Sequence, residues 1–140
     1  MDWDQYFLII AEAVRSKSEC LRKQYGAVIV NSDKIIVSTG FNGTPFGVQD
    51  CHECLMDKAE MPAGTGNSLC RAIHAEENAV VFAGREKAKG GTLYLYGSTN
   101  KPCKRCRRLI IQVGLSKVVG FDGSTMNEYN PVDWKWREEL

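Results

Sequence analysis

Two segments decide how this chain is read: Cys70-Arg71-Ala72-Ile73-His74-Ala75-Glu76 and Pro102-Cys103-Lys104-Arg105-Cys106. From His74 onward, residues 74–87 have a helical apolar period, with Ala75, Ala79, Val80, Phe82 and Ala83 on one face and Gly90-Gly91 closing the segment. Residues 92–96 read as a strand and 97–102 as a loop. Residues 103–113 are helical again, with Leu109, Ile110 and Val113 inward and Lys104, Arg105, Arg107 and Arg108 outward. Gly114 is the expected C-cap, and 115–121 a further strand. His74 and Cys103 therefore both stand at helix starts. There the first N–H groups are unpaired and the helix dipole is positive, which favours thiolate.

Working outward, residues 3–16 place Trp3, Phe7, Ile10, Ala11 and Val14 at helical spacing, with Asp2 as N-cap. Tyr25-Gly26-Ala27-Val28-Ile29-Val30 and residues 34–40 read as strands around the turn Asn31-Ser32-Asp33, an antiparallel hairpin. Phe41-Asn42-Gly43-Thr44-Pro45-Phe46-Gly47 breaks regular structure, and reads equally as a surface loop or as a substrate loop presenting the Asn42 amide. Residues 48–67 look irregular, with Pro62, Gly64 and Gly66 late in the stretch, and Cys51, His52, Cys54 and Cys70 offer a pin for it. Beyond residue 121 come turn residues and Trp134-Lys135-Trp136. The order helix, two strands, helix, strand, helix, strand predicts one domain over residues 1–140. It is a three-layer α/β/α sandwich with a mixed sheet, whose last two strands are parallel.

An imidazole in one segment and a Cys-x-x-Cys in another supply three ligands to a tetrahedral zinc and leave one position open, as in catalytic sites. Glu76, at i+2 from His74, is unsuited as a fourth ligand. It can face the open position, take a proton from water there and return it to a leaving group. Alone, Cys-x-x-Cys fits a structural zinc or a redox pair. His-x-Glu on a preceding helix and Pro102 before the first cysteine point instead to a zinc hydrolase.

Composition agrees. The 140 residues are 44% hydrophobic and 25% charged with formal net charge +1, ordinary for a globular chain and unlike a polynucleotide coat protein. No apolar run is long enough to cross a bilayer. The acidic start Met1-Asp2-Trp3-Asp4 lacks the basic character of a signal peptide, so a cytoplasmic location is expected and the six cysteines read as thiols or ligands.

The pattern is the zinc deaminase signature. The chain resembles the cytidine deaminase superfamily, and within it the deoxycytidylate (dCMP) deaminase family, over nearly its whole length to about Phe121. The resemblance is carried by Ser18-Glu19-Cys20, Tyr25 to Val30, Gly40-Phe41-Asn42-Gly43-Thr44-Pro45, Ile73-His74-Ala75-Glu76-Glu77-Asn78-Ala79, and Pro102 to Cys106 with Leu109-Ile110-Ile111. It implies a cytidine deaminase-like fold and hydrolysis of dCMP to dUMP and ammonia for thymidylate synthesis. His74, Cys103 and Cys106 would hold the catalytic zinc, Glu76 would shuttle protons, and Asn42 would contact the sugar. Backbone at Ala75 and the Ala27-Val28 edge would floor the base pocket. It also implies a hexamer with dCTP and dTTP as effectors. Phe82 and Arg85 fall where a nucleotide-responsive subunit face would lie, against the plainer reading of Phe82 as core and Arg85 as solvated. Two departures stand out: a longer loop over residues 97–101, and Phe46 where an arginine is common. The second leaves Lys101, Lys104 and Arg105 as phosphate candidates by proximity.

Cys20, Cys51, Cys54 and Cys70 remain, a complete tetrahedral set for a second, structural zinc that relatives often carry in these places. Buried free thiols or a disulfide are the alternatives, and His52 could replace one cysteine. Two functional alternatives also stay open. One is a deaminase of dCTP, cytidine or a polynucleotide base, the last disfavoured by the neutral charge. The other is a non-catalytic zinc-stabilised binding module, which would need no Glu76.

Overall fold

The computed structural model describes residues 1–62, 69–134 and 139–140 of the chain. In chain order the elements are α1 (Trp3–Arg15), β1 (Gly26–Val30), β2 (Ile36–Phe41), α2 (Leu55–Lys58), α3 (Ala75–Ala88), β3 (Thr92–Tyr96), α4 (Lys104–Val113), β4 (Lys117–Phe121) and β5 (Met126–Tyr129), followed by a 3-10 turn at Pro131–Trp134. The sheet order is β2-β1-β3-β4-β5. β3 and β4 are parallel and the other neighbours antiparallel. This is the mixed α/β sandwich expected, with α1 on one face and α3 and α4 on the other.

Strand alternation builds both cores. Ala27, Ile29, Leu93, Leu95 and Val118 face α3 and α4. Val28, Val30, Tyr94 and Val119 face Phe7, Leu8 and Ala11 of α1. Strands covered on both sides read as continuous apolar runs, as in Ala27-Val28-Ile29-Val30. At α1 the Asp2 side chain accepts from the Gln5 N–H at 2.8 Å and the Gln5 side chain caps the Asp2 N–H in return. Leu8 is buried in that interface, whereas Trp3 stays 54% exposed and stacks on Phe7 from outside.

Four expectations are corrected. The stretch after Val48 is not wholly irregular, because Leu55–Lys58 forms the short helix α2; Gly64 and Gly66 lie outside the described residues. The tail contributes an edge strand, β5, and buries Trp134 in the α3–α4 core, with Trp136 outside the described residues. α3 is broken near its end by Gly84 at φ 71°, ψ 164°. Phe82 is 66% exposed rather than part of the apolar face. The buried stripe of α3 is Ala75, Ala79 and Ala83, small residues that seat the helix close to the sheet, and a ring at the flank of that stripe stays outside.

Close seating shows most clearly at Gly40. A Cβ there would lie 2.5 Å from both the Ala75 carbonyl oxygen and the Ala79 nitrogen, so the start of α3 rests directly on β2. Gly40 pairs with Ala27, the next position inward. Gly40→Ala must therefore displace α3, with a cost of roughly 1–3 kcal/mol for overpacking. Denaturant unfolding should show that loss together with reduced activity, and unchanged stability would refute the close seating.

Candidate active site

His74 is the N-cap of α3 and Cys103 the N-cap of α4, each in extended conformation just before its helix. α3 leads into β3 and α4 into β4, parallel neighbours, so both helices begin at the same end of the sheet. The result is a cluster. His74 Nδ1 lies 3.4 Å from Cys103 Sγ and 3.3 Å from Cys106 Sγ. Among the described residues this is the one group of three such side chains whose ligand atoms fall within 4.8 Å of one another. Cys106 is buried, His74 half-buried and Cys103 exposed, which leaves the cluster one open side.

Electrostatics within the cluster favour a cation. The hydrogen bond from the Cys106 thiol, with help from His74, pulls Cys103 down to a pKa of about 3. The same bond, burial and the nearby Glu76 carboxylate push Cys106 up. Bonding to Cys103 raises His74. One thiolate thus already forms beside the imidazole, and a divalent metal would release the second proton. An imidazole nitrogen and two thiolates are a borderline-soft donor set that fits zinc, with one tetrahedral position to spare. Glu76 is only 6% exposed, and burial raises its pKa above the ordinary carboxylate range.

Two ties bring the Asn42 segment against the start of α3, and its side chain is held separately. Gly43 and Ile73 exchange backbone hydrogen bonds at 3.1 and 2.8 Å, the Asn78 amide donates to the Phe41 carbonyl at 2.8 Å, and the Asn42 side chain is itself fixed. Its Oδ1 accepts from the Tyr25 N–H at 2.8 Å and from Ser18 Oγ at 2.9 Å, while Nδ2 donates to the Lys23 carbonyl at 2.8 Å. One Nδ2 hydrogen remains. Ala27 and Ala75 share the core under α3, whereas the Val28 side chain packs on the α1 face of the sheet. Arg85 is exposed and donates to the Gln112 carbonyl at 2.8 Å, tying α3 to the end of α4. Of the three cations proposed for phosphate, Lys101 pairs with Glu139 at 3.2 Å and Arg105 with Glu77 at 2.7 Å.

No disulfide joins any of the six cysteines. Cys20, Cys51, Cys54 and Cys70 line one cavity, together with Asp50 and Arg71, and His52 is not part of its lining. Residues the sequence reading did not single out also shape the site. Glu77 accepts from the His74 N–H at 2.9 Å, a role that its position three residues past the cap announces. Asn100, in the loop before Pro102, uses its whole amide. Nδ2 donates to Asp122 and to the Thr125 carbonyl, and Oδ1 accepts from Tyr129 and Asn127. No local sequence signal marks that clamp, because its partners come from the β4–β5 turn and β5.

Comparison with known proteins agrees with this geometry. Residues 1–121 match the family model described as the cytidine and deoxycytidylate deaminase zinc-binding region. A deoxycytidylate deaminase of Mycobacterium phage D29 is 40% identical over 123 residues, covering 84% of this chain and 93% of its own. One from Schizosaccharomyces pombe is 36% identical over 129 residues, covering 91% of this chain, which spans only 39% of that longer protein. The solved dCMP deaminase of cyanophage S-TIM5 in complex with dCMP and dUMP superposes with a TM-score of 0.62 at 29% identity, covering 81% of this chain and 76% of that one. The family match takes in His74, Cys103, Cys106 and the whole sheet through β4, and the chain belongs to the zinc-binding cytidine and deoxycytidylate deaminases.

Proposed function

We propose that the protein hydrolyses dCMP to dUMP and ammonia, replacing the exocyclic amine of the cytosine ring with oxygen from water. The buried Glu76 carboxyl beside the His74, Cys103 and Cys106 cluster carries the reaction class. The phage relatives, one named a deoxycytidylate deaminase and one solved with dCMP and dUMP, support the substrate. His74, Cys103 and Cys106 would hold the zinc, which when bound supplies a Lewis acid and an activated water.

The chain's own residues do the rest. Glu76 sits on the first turn of α3 with its pKa raised, suited to accepting a proton and giving it back within one turnover. It takes one proton from water and delivers it to the ring nitrogen, then moves the second proton of that water, from the hydroxyl now on the ring carbon, to the departing amine, which leaves as ammonia. Asn42, with its other amide hydrogen already bonded to Lys23, offers the remaining one to a sugar oxygen. Its orientation is set before substrate arrives, so little entropy is lost on binding. Backbone at Ala75, with Ala27 beneath, would form the floor under the base.

The same reading extends to a single catalytic domain over the chain, acting in the cytoplasm. It includes a second zinc on Cys20, Cys51, Cys54 and Cys70, which line one cavity although no three of their sulfurs lie within 4.8 Å of one another. It also includes a hexamer responsive to dCTP and dTTP through the Phe82 and Arg85 face. Support there is the uncovered pair Val81 and Phe82, 71% and 66% exposed on α3.

Three measurements test this. In a panel of dCMP, dCTP and cytidine, kcat/KM should be highest for dCMP; faster turnover of cytidine would overturn the substrate reading. Glu76→Gln should retain zinc and fold while losing about 10²–10⁴-fold in kcat, and retained turnover would remove Glu76 from the mechanism. Elemental analysis should give two zinc per chain, falling to one in a Cys51→Ser/Cys54→Ser variant, and one zinc in the unaltered protein would refute the second site.

A further inference from the structure

Across the starts of α3 and α4 runs an ion pair that neither the fold nor the proton chemistry demands. Arg105 approaches Glu77 Oε1 at 2.7 Å, and that same oxygen accepts the His74 N–H at 2.9 Å. A single carboxylate oxygen therefore joins the residue that begins α3 to the first turn of α4. The charges are also placed unusually. α4 opens with Lys104 and Arg105 and has no acidic residue in its first turn, an arrangement its dipole disfavours. α3 opens with Glu76 and Glu77. The misplaced cation of one helix is answered by an anion of the other, across the gap that His74, Cys103 and Cys106 span.

Exposed ion pairs usually contribute little, because two long side chains must be ordered to form them. This one differs in two respects. The Glu77 side chain is 15% exposed against 43% for Arg105, and Glu77 is already fixed by its bond to His74, so only Arg105 is ordered by the pairing. Arg105 also feels the charges of both cysteines, and with two ionised thiols it would offset part of their negative charge.

We propose that Glu77 and Arg105 are a positioning pair that sets the spacing of His74 from Cys103 and Cys106, and so governs how firmly the site holds its metal. The proposal rests on the reading that those three residues bind zinc. Neither member of the pair touches the reacting atoms in this account.

The test is zinc release from the intact protein to a chromogenic chelator, beside thermal unfolding and steady-state kinetics with dCMP. Glu77→Gln keeps an oxygen for the His74 N–H but removes the charge, and Arg105→Gln removes the partner. Each should speed release about tenfold, the low end of what losing a group that holds a metal ligand costs. The double variant should be no faster than either single one, Arg105→Lys should restore much of the slow release, the unfolding midpoint should fall by no more than the tenfold weaker metal binding accounts for, and KM should stay unchanged. Release at the unaltered rate in both single variants, or additive effects in the double, would overturn the proposal. So would a rise in KM confined to Arg105→Gln, which would assign Arg105 to the substrate. Failure of the underlying reading looks different: the unaltered protein would then hold no zinc that a Cys103→Ser variant loses.

Discussion

Everything at this site depends on two helices starting side by side at one end of the sheet. β3 and β4 are parallel, so the helices that lead into them must both begin at the opposite end, and each begins with a member of the His74, Cys103 and Cys106 cluster as its cap. A cap residue has extended backbone and its side chain is free to turn away from the helix axis. His74 and Cys103 use that freedom to face each other, and Cys106 follows on the first turn of α4. The positive ends of both dipoles then favour anionic sulfur at the meeting point.

Seating α3 close to the sheet makes the rest possible. Its alanine stripe and the bare Cα of Gly40 allow the approach, which buries Glu76 and brings the Phe41-Asn42-Gly43 backbone against the chain before His74. Burial is what raises the Glu76 pKa, so the same packing that holds the helix also sets the protonation of this carboxyl. Asn42 gains a fixed orientation from three hydrogen bonds, none of which involves a catalytic residue. Placement of Asn42 and placement of the His74, Cys103 and Cys106 cluster are thus separate, joined through Ile73 and Asn78.

Much of this was legible in the sequence, because the informative residues carry their chemistry locally. The His74-x-Glu76 and Pro102-Cys103-x-x-Cys106 patterns announce a candidate metal cluster by spacing, and the fold assembles it, while the strands buried on both faces announce themselves by unbroken apolar runs. What escaped notice had a physical reason each time. β5 is an edge strand of polar, mostly exposed residues, so it shows no alternation. α2 is four residues long, too short for a period. Phe82 has the composition of a core residue but sits beside a stripe already filled by alanines, and only the depth of helix packing reveals that. The pairing of Arg105 with Glu77 joins residues 28 positions apart, and no local pattern encodes it.

The central claim is that one metal sits between the two helix starts, bound by one imidazole and two sulfurs. Anomalous diffraction at the zinc absorption edge tests it directly. The account predicts a strong peak enclosed by His74 Nδ1, Cys103 Sγ and Cys106 Sγ, with Glu76 facing its open side. A zinc-loaded crystal with no peak there, or with its metal only in the cavity of Cys20, Cys51, Cys54 and Cys70, would contradict it.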